Sequence, residues 1–185
     1  MSLATILDAI PHRPPFLWVD EVLEQDERSI KALKRVDPQE PCLRGHYPQF
    51  PLVPGVLVLE AIFQAGAVLL AERTREQLAQ GFLPVLARAR EAKWKRMVRP
   101  GDRLELTVRL LDSLQNAFKL AGEARVEGEL CASVEYMVAL VPDPTRPAAP
   151  PPEAAPAPSA VAQDLAAVPA APPVTPPPAP VDHAG

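Results

Sequence analysis

The sequence has few of the residues that mark several protein classes. Only Cys42 and Cys131 occur among its 185 residues, so there is no disulfide framework, and a chain of this length can bury a core without one. The three histidines, His12, His46 and His183, lie far apart and away from the cysteines. That spacing fits no zinc site, and no metal is expected. An excess of one charge is also missing, with 19 Lys and Arg against 23 Asp and Glu. Setting aside the last 44 residues leaves 18 basic and 19 acidic side chains, which argues against general nucleic-acid binding. The longest apolar run, Val56 to Ala71, has 16 residues and contains Glu60 and Gln64. It is too short and too polar inside for a membrane span. The opening MSLATILDAIPHRPP lacks a basic start followed by an apolar run and a cleavage site, so no signal peptide is expected. A soluble cytoplasmic protein is the expectation.

Proline, by contrast, is abundant and unevenly spread. Residues 142–185 hold 15 of the 25 prolines plus 13 alanines. Such a stretch can neither continue a helix nor supply a sheet ladder. Its few large apolar side chains are too sparse for a core. The chain therefore divides into one domain at 1–141 and a Pro/Ala-rich tail at 142–185 expected to be disordered.

Within the domain, Leu3 to Ile10 reads as a short amphipathic helix ended by Pro11 and Pro14-Pro15. Phe16 to Glu24 and Ser29 to Val36 read as a hairpin around a polar turn. Residues 37–55 form a long loop with five prolines, and loops of that length are often functional. The segment VLVLEAIFQAGAVLLAERTREQL is apolar nearly all round for four turns, as a buried helix is. Strands follow at about 83–99, 103–112, 116–127 and 130–141, with Pro100-Gly101-Asp102, Gln115-Asn116 and Gly128-Glu129 at the turns. The fold expected is α+β: an antiparallel sheet of about six strands wrapped around a long central helix, a hot-dog arrangement. Periodicity leaves the strand order open.

Three features could carry chemistry. His46, in Arg44-Gly45-His46-Tyr47-Pro48, has its backbone pinned by proline and glycine neighbours, and an imidazole titrating near neutrality suits general-base work. A turn histidine without function is the bland alternative. Glu60 lies in an apolar helix with no charged neighbour along that helix, so its burial demands a specific partner or a shifted titration. Gln64, one turn on, can supply that partner, and a satisfied Glu–Gln pair is the bland alternative here. Pro54-Gly55 opens the long helix, whose positive end could hold an oxygen gaining negative charge. Alone it is a Pro-Gly turn that starts a helix.

Taken together, GHYPQFPLVPGVLVLEAIFQAGAVLL resembles the active-site signature of the 3-hydroxyacyl-[acyl-carrier-protein] dehydratases of the FabZ type. Ile10-Pro11-His12-Arg13-Pro14-Pro15-Phe16-Leu17 with Val19-Asp20 is similar to the family's opening, and Lys93-Trp94-Lys95-Arg96, Val98 and Pro100-Gly101-Asp102 to its late strand and turn. The resemblance covers about residues 5–141. It implies a hot-dog fold, a homodimer and often a trimer of dimers, with His46 facing Glu60 across the subunit interface. It implies that His46 takes the C2 proton of the 3-hydroxyacyl chain and that Glu60 protonates the departing hydroxyl. Gly55, Val56, Tyr47 and Gln64 are then substrate-binding residues, with the Gly55 amide on the thioester carbonyl. No cofactor is implied, and acyl carrier protein delivers the substrate on its phosphopantetheine arm.

Departures from the family pattern are Tyr47 for Phe, Cys42-Leu43-Arg44 for two aromatics and Gln, and Met97 for Pro. The third strand is also unusually charged, with Arg88, Arg90 and Glu91. A hot-dog acyl thioesterase is the alternative enzyme, and a non-catalytic acyl-binding hot-dog module the alternative from another class. Gly45-His46 together with Glu60 favours the dehydratase.

Overall fold

The computed structural model describes residues 2–145. The tail expected at 142–185 therefore lies almost wholly outside the described residues. Helix α1 is Leu3–Ala9. A hairpin follows, β1 (Glu21–Gln25) and β2 (Ser29–Arg35), then the short helix α2 (Pro41–Gly45) and the long α3 (Gly55–Ala79). The last four strands are β3 (Phe82–Trp94), β4 (Arg103–Leu114), β5 (Ala117–Val126) and β6 (Glu129–Pro142). The six strands form one antiparallel sheet in the order β1-β2-β4-β5-β6-β3, wrapped around α3 in a hot-dog fold.

Good helix formers, Leu, Ala, Glu and Gln, fill α3. The helix stops at Gly81, whose φ of 89° lies in the left-handed region where only glycine is free of strain, and whose N–H donates to the Leu78 carbonyl. Val58, Ile62, Ala65 and Leu69 are buried against the sheet. Leu104, Leu106, Val108 and Leu110, every second residue of β4, join them in the core, as do Leu120 and Ala124 of β5. By length and composition α3 could cross a membrane, with a mean hydropathy of 1.7 over its most apolar window. In the fold 56% of that window is buried, as in the core helix of a sheet-wrapped domain.

Strand β3 differs from the others. It is an edge strand paired only with β6, and Leu83, Val85, Leu86 and Trp94 are exposed along it. Pro84 is tolerated because an edge strand has one side without ladder bonds. The charges of Arg90 and Glu91 belong to this exposed edge, where charge discourages random strand pairing.

Three local expectations are corrected. The strand expected at Phe16 to Glu24 begins only at Glu21, because the Phe16 and Trp18 backbones bond the Gln64 side chain instead of a neighbouring strand. The loop at 37–55 contains α2, with Pro41 in the first turn, where its missing N–H costs nothing. The strand expected to reach residue 99 ends at Trp94; beyond it, the Val98 carbonyl accepts from Val53 N–H and ties the two loops together.

Candidate active site

His46 sits at the C-terminal end of α2. Its Nδ1 lies 3.1 Å from the Leu52 carbonyl, which can only accept, so Nδ1 carries the hydrogen and Nε2 keeps its lone pair. That is the tautomer a base needs. Tyr47 packs edge-on against the ring at 4.6 Å, with φ of 49°, an uncommon conformation for a non-glycine residue. Its side chain is 62% exposed.

The loop holding His46 is anchored by a buried cation. Lys34 of β2 is 6% exposed and lies 2.7 Å from Glu40, the residue that precedes α2. Asp20 approaches the same ammonium at 3.4 Å, and the Trp18 ring lies 5.2 Å from it. A buried charge needs such company. Burial, reinforced by Glu40, pushes the thiol of Cys42 in α2 above the usual range.

Glu60 is placed by side chains. Gln64 Nε2 donates to Glu60 Oε1 at 2.8 Å and to the Phe16 carbonyl at 2.7 Å, while Gln64 Oε1 accepts from Trp18 N–H at 2.7 Å. His12 Nε2 lies 3.6 Å from the same Oε1. Glu60, Gln64 and His12 line a groove of about 350 Å³ that is otherwise mainly apolar, walled by Phe63, Ala67, Leu70, Leu78, Leu83 and Leu86 among others.

Gly55 opens α3 at a second cleft of about 520 Å³, beside Trp94, Lys95 and Arg96. Trp94 Nε1 donates to the Gly55 carbonyl at 3.0 Å, and a Cβ at Gly55 would come within 2.7 Å of that nitrogen. Only glycine lets the indole approach so closely. Pro54 caps the helix without a side-chain bond, and the Gly55 and Val56 amides donate to no other group among the described residues. They lie at the positive end of the helix. Val56 itself is 69% exposed.

The structure thus joins Glu60 to Gln64, and sets Gly55 and Val56 at the helix start. Among the described residues no hydrogen bond or ion pair joins His46 to Glu60 within the chain. No group of three His, Cys, Asp or Glu assembles as a metal site among them. His12 is the neighbour that sequence reasoning missed. The signal was present, because Pro11 and Arg13-Pro14 pin it as prolines pin His46.

Residues 10–135 match the model of the FabA-like domain family. The chain is 41% identical over 140 residues to the 3-hydroxyacyl-[acyl-carrier-protein] dehydratase FabZ of Petrotoga mobilis, covering 76% of this chain and 98% of that protein. It is 47% identical over 133 residues to the protein of the same name from Thermus thermophilus, covering 72% and 92%. Among solved structures, a chain of the dehydratase heterocomplex ApeI:P from Xenorhabdus doucetiae superposes with a TM-score of 0.64 at 18% identity, over 76% of this chain and 92% of that one, which is a likeness of fold.

Proposed function

The chain belongs to the FabA-like family, and within it to the FabZ 3-hydroxyacyl-[acyl-carrier-protein] dehydratases, and from that membership we propose how its residues divide the reaction. The enzyme is a hydro-lyase of fatty-acid biosynthesis that converts a 3-hydroxyacyl thioester on acyl carrier protein to the trans-2-enoyl thioester and water. His46 Nε2 takes the proton from C2. Glu60 gives its proton to the C3 hydroxyl, the C3–O bond breaks, and water leaves. The thioester oxygen gains negative charge on the way and is held by the Gly55 amide at the start of α3. Val56 and Tyr47 flank the thioester, and Gln64 orients Glu60. The chemistry is proton transfer throughout.

The observation that carries this reading is Glu60 in the wall of an apolar groove, held by Gln64. An acyl chain can lie against Phe63, Leu70, Leu83 and Leu86 while its polar C3 meets Glu60, the one acid of that wall among the described residues. No hydrogen bond or ion pair joins His46 to Glu60 within the chain, which supports a homodimer in which His46 meets the partner's Glu60. The free edge of β3, with its exposed Leu83, Val85 and Leu86, is the surface suited to such pairing. A trimer of dimers is the larger assembly this family membership suggests. A soluble, cytoplasmic enzyme fits a substrate delivered on a carrier protein.

The test is mass spectrometry of 3-hydroxyacyl-carrier-protein substrates of several chain lengths, with sedimentation of the same sample. Loss of one water from the carrier-bound chain, by a dimer or hexamer, is expected. Release of free acid would make the protein a thioesterase, and a fully active monomer would overturn the shared site.

A further inference from the structure

His12 lies outside the pair assigned to the reaction, yet its imidazole is built into the wall that holds Glu60. Its segment is fastened from two sides. Arg13 donates to the carbonyls of Leu7, Ile10 and His12 at 2.7–2.9 Å, closing the chain after α1. Gln64, 1% exposed, bonds Phe16 and Trp18 from α3. The Phe16 ring lies nearly parallel to the imidazole, 6.2 Å away. His12 therefore has little freedom to leave Glu60.

The two ring nitrogens are not equivalent. Nδ1 is buried with no partner, whereas Nε2 lies 3.6 Å from Glu60 Oε1. A hydrogen on Nδ1 would be a buried donor without an acceptor, which proteins avoid. A lone pair on Nε2 would face the lone pairs of Oε1. With the hydrogen on Nε2, that N–H points at Oε1 and the buried Nδ1 is left only as an unpaired acceptor. The same arrangement offers no proton relay through the ring, since no group among the described residues bonds Nδ1. The 3.6 Å separation is just beyond hydrogen-bond length, and contacts of this kind often tighten only in the substrate complex.

Gln64 Nε2 already donates to Oε1 at 2.8 Å. Two donors thus converge on one oxygen of Glu60. We propose that His12 is a positioning residue of the dehydration, which with Gln64 reserves Oε1 of Glu60 as an acceptor and leaves Oε2 as the oxygen that carries the acid proton. Oε2–H then passes its proton to the C3 hydroxyl, and the electrons of the breaking C3–O bond leave with the water. Without His12 the carboxyl can turn, and its proton is no longer held toward the substrate. Misplacement of a reacting group by about 1 Å can cost about 100-fold in rate.

This inference rests on Glu60 being the acid, and the experiment separates the two. Steady-state kinetics on a 3-hydroxyacyl-carrier-protein substrate compare Glu60→Gln, His12→Phe, His12→Ala and His12→Gln in the full chain. Gln places a side-chain N–H near the position of His Nε2, whereas Phe and Ala have none. His12→Phe and His12→Ala are expected to lower kcat and kcat/KM together, by about 10- to 100-fold, with KM nearly unchanged. His12→Gln is expected to recover at least half of that loss on a logarithmic scale. Having two donor-less variants keeps the comparison if one does not fold. A raised KM with unchanged kcat would make His12 only a groove residue. Equal losses in His12→Gln and His12→Ala would show that the N–H is not what matters, and either result overturns the inference. Full activity in Glu60→Gln would overturn the assignment of the acid itself, whatever the His12 variants do.

Discussion

The loop that carries His46 and the helix that carries Glu60 hold their side chains by different means. In the loop, backbone does the positioning. Prolines restrict the chain, α2 delivers His46 at its end, and the Leu52 carbonyl selects the tautomer. One buried ion cluster, Lys34 with Glu40 and Asp20, fastens the loop to β2. In the helix the backbone is regular and says nothing specific about Glu60. Side chains do the work there, with Gln64 spanning Glu60, Phe16 and Trp18. For the base and acid roles proposed above, the Leu52 carbonyl leaves one His46 nitrogen free, and the Gln64 amide leaves one Glu60 oxygen uncommitted.

The largest effects should come from removing the two groups themselves. His46→Ala and Glu60→Gln are each expected to lower turnover by about 100- to 10,000-fold while circular dichroism stays that of the native fold. If one well-folded variant kept near-native turnover, the division of roles between loop and helix would fail.

Gln64→Leu attacks the helix side. It strips the partners from Trp18 N–H and the Phe16 carbonyl, at about 1–3 kcal/mol for each buried group left unpaired. Melting temperature and kcat should therefore fall together. An unchanged melting temperature would mean that the Phe16–Trp18 segment is held by something else.

Lys34→Met attacks the loop side. Glu40 and Asp20 lose their cation, and breaking a buried pair is costly; because Asp20 is partly exposed, about 2 kcal/mol is expected. Turnover should fall through His46. Amide exchange of α2 should quicken while that of α3 stays slow. Equal quickening in both helices would remove the distinction drawn between the two regions.

Smaller still is Trp94→Phe, which removes the bond to the Gly55 carbonyl and should cost about 1 kcal/mol of stability in chemical denaturation. The smallest effect is expected from truncation after Thr145. Residues 146–185 lie outside the described residues, and their Pro/Ala composition offers little apolar surface to bury. Differential scanning calorimetry should give the same melting temperature with and without them, and a fall of several degrees would place the domain boundary further along the chain.

Much of the fold was legible along the chain. Apolar periodicity distinguishes a buried helix from half-buried strands, because each side chain's face depends only on its position in a local repeat. Glu60 and Gln64 fall one turn apart by that repeat, so their pairing could be read directly, and the Pro-rich surroundings of His46 mark it out in the same way. What periodicity cannot encode is which strand lies beside which. The order β1-β2-β4-β5-β6-β3, and with it the exposed edge at β3, is set by long-range packing around α3. Phe16 to Trp18 alternates like a strand, yet its backbone groups bond a glutamine 46–48 residues away. His12 meets Glu60 for the same reason: α1 and its proline turn fold back onto α3. Local geometry follows from neighbours in the chain, whereas a site assembled from distant segments exists only once the core has brought them together.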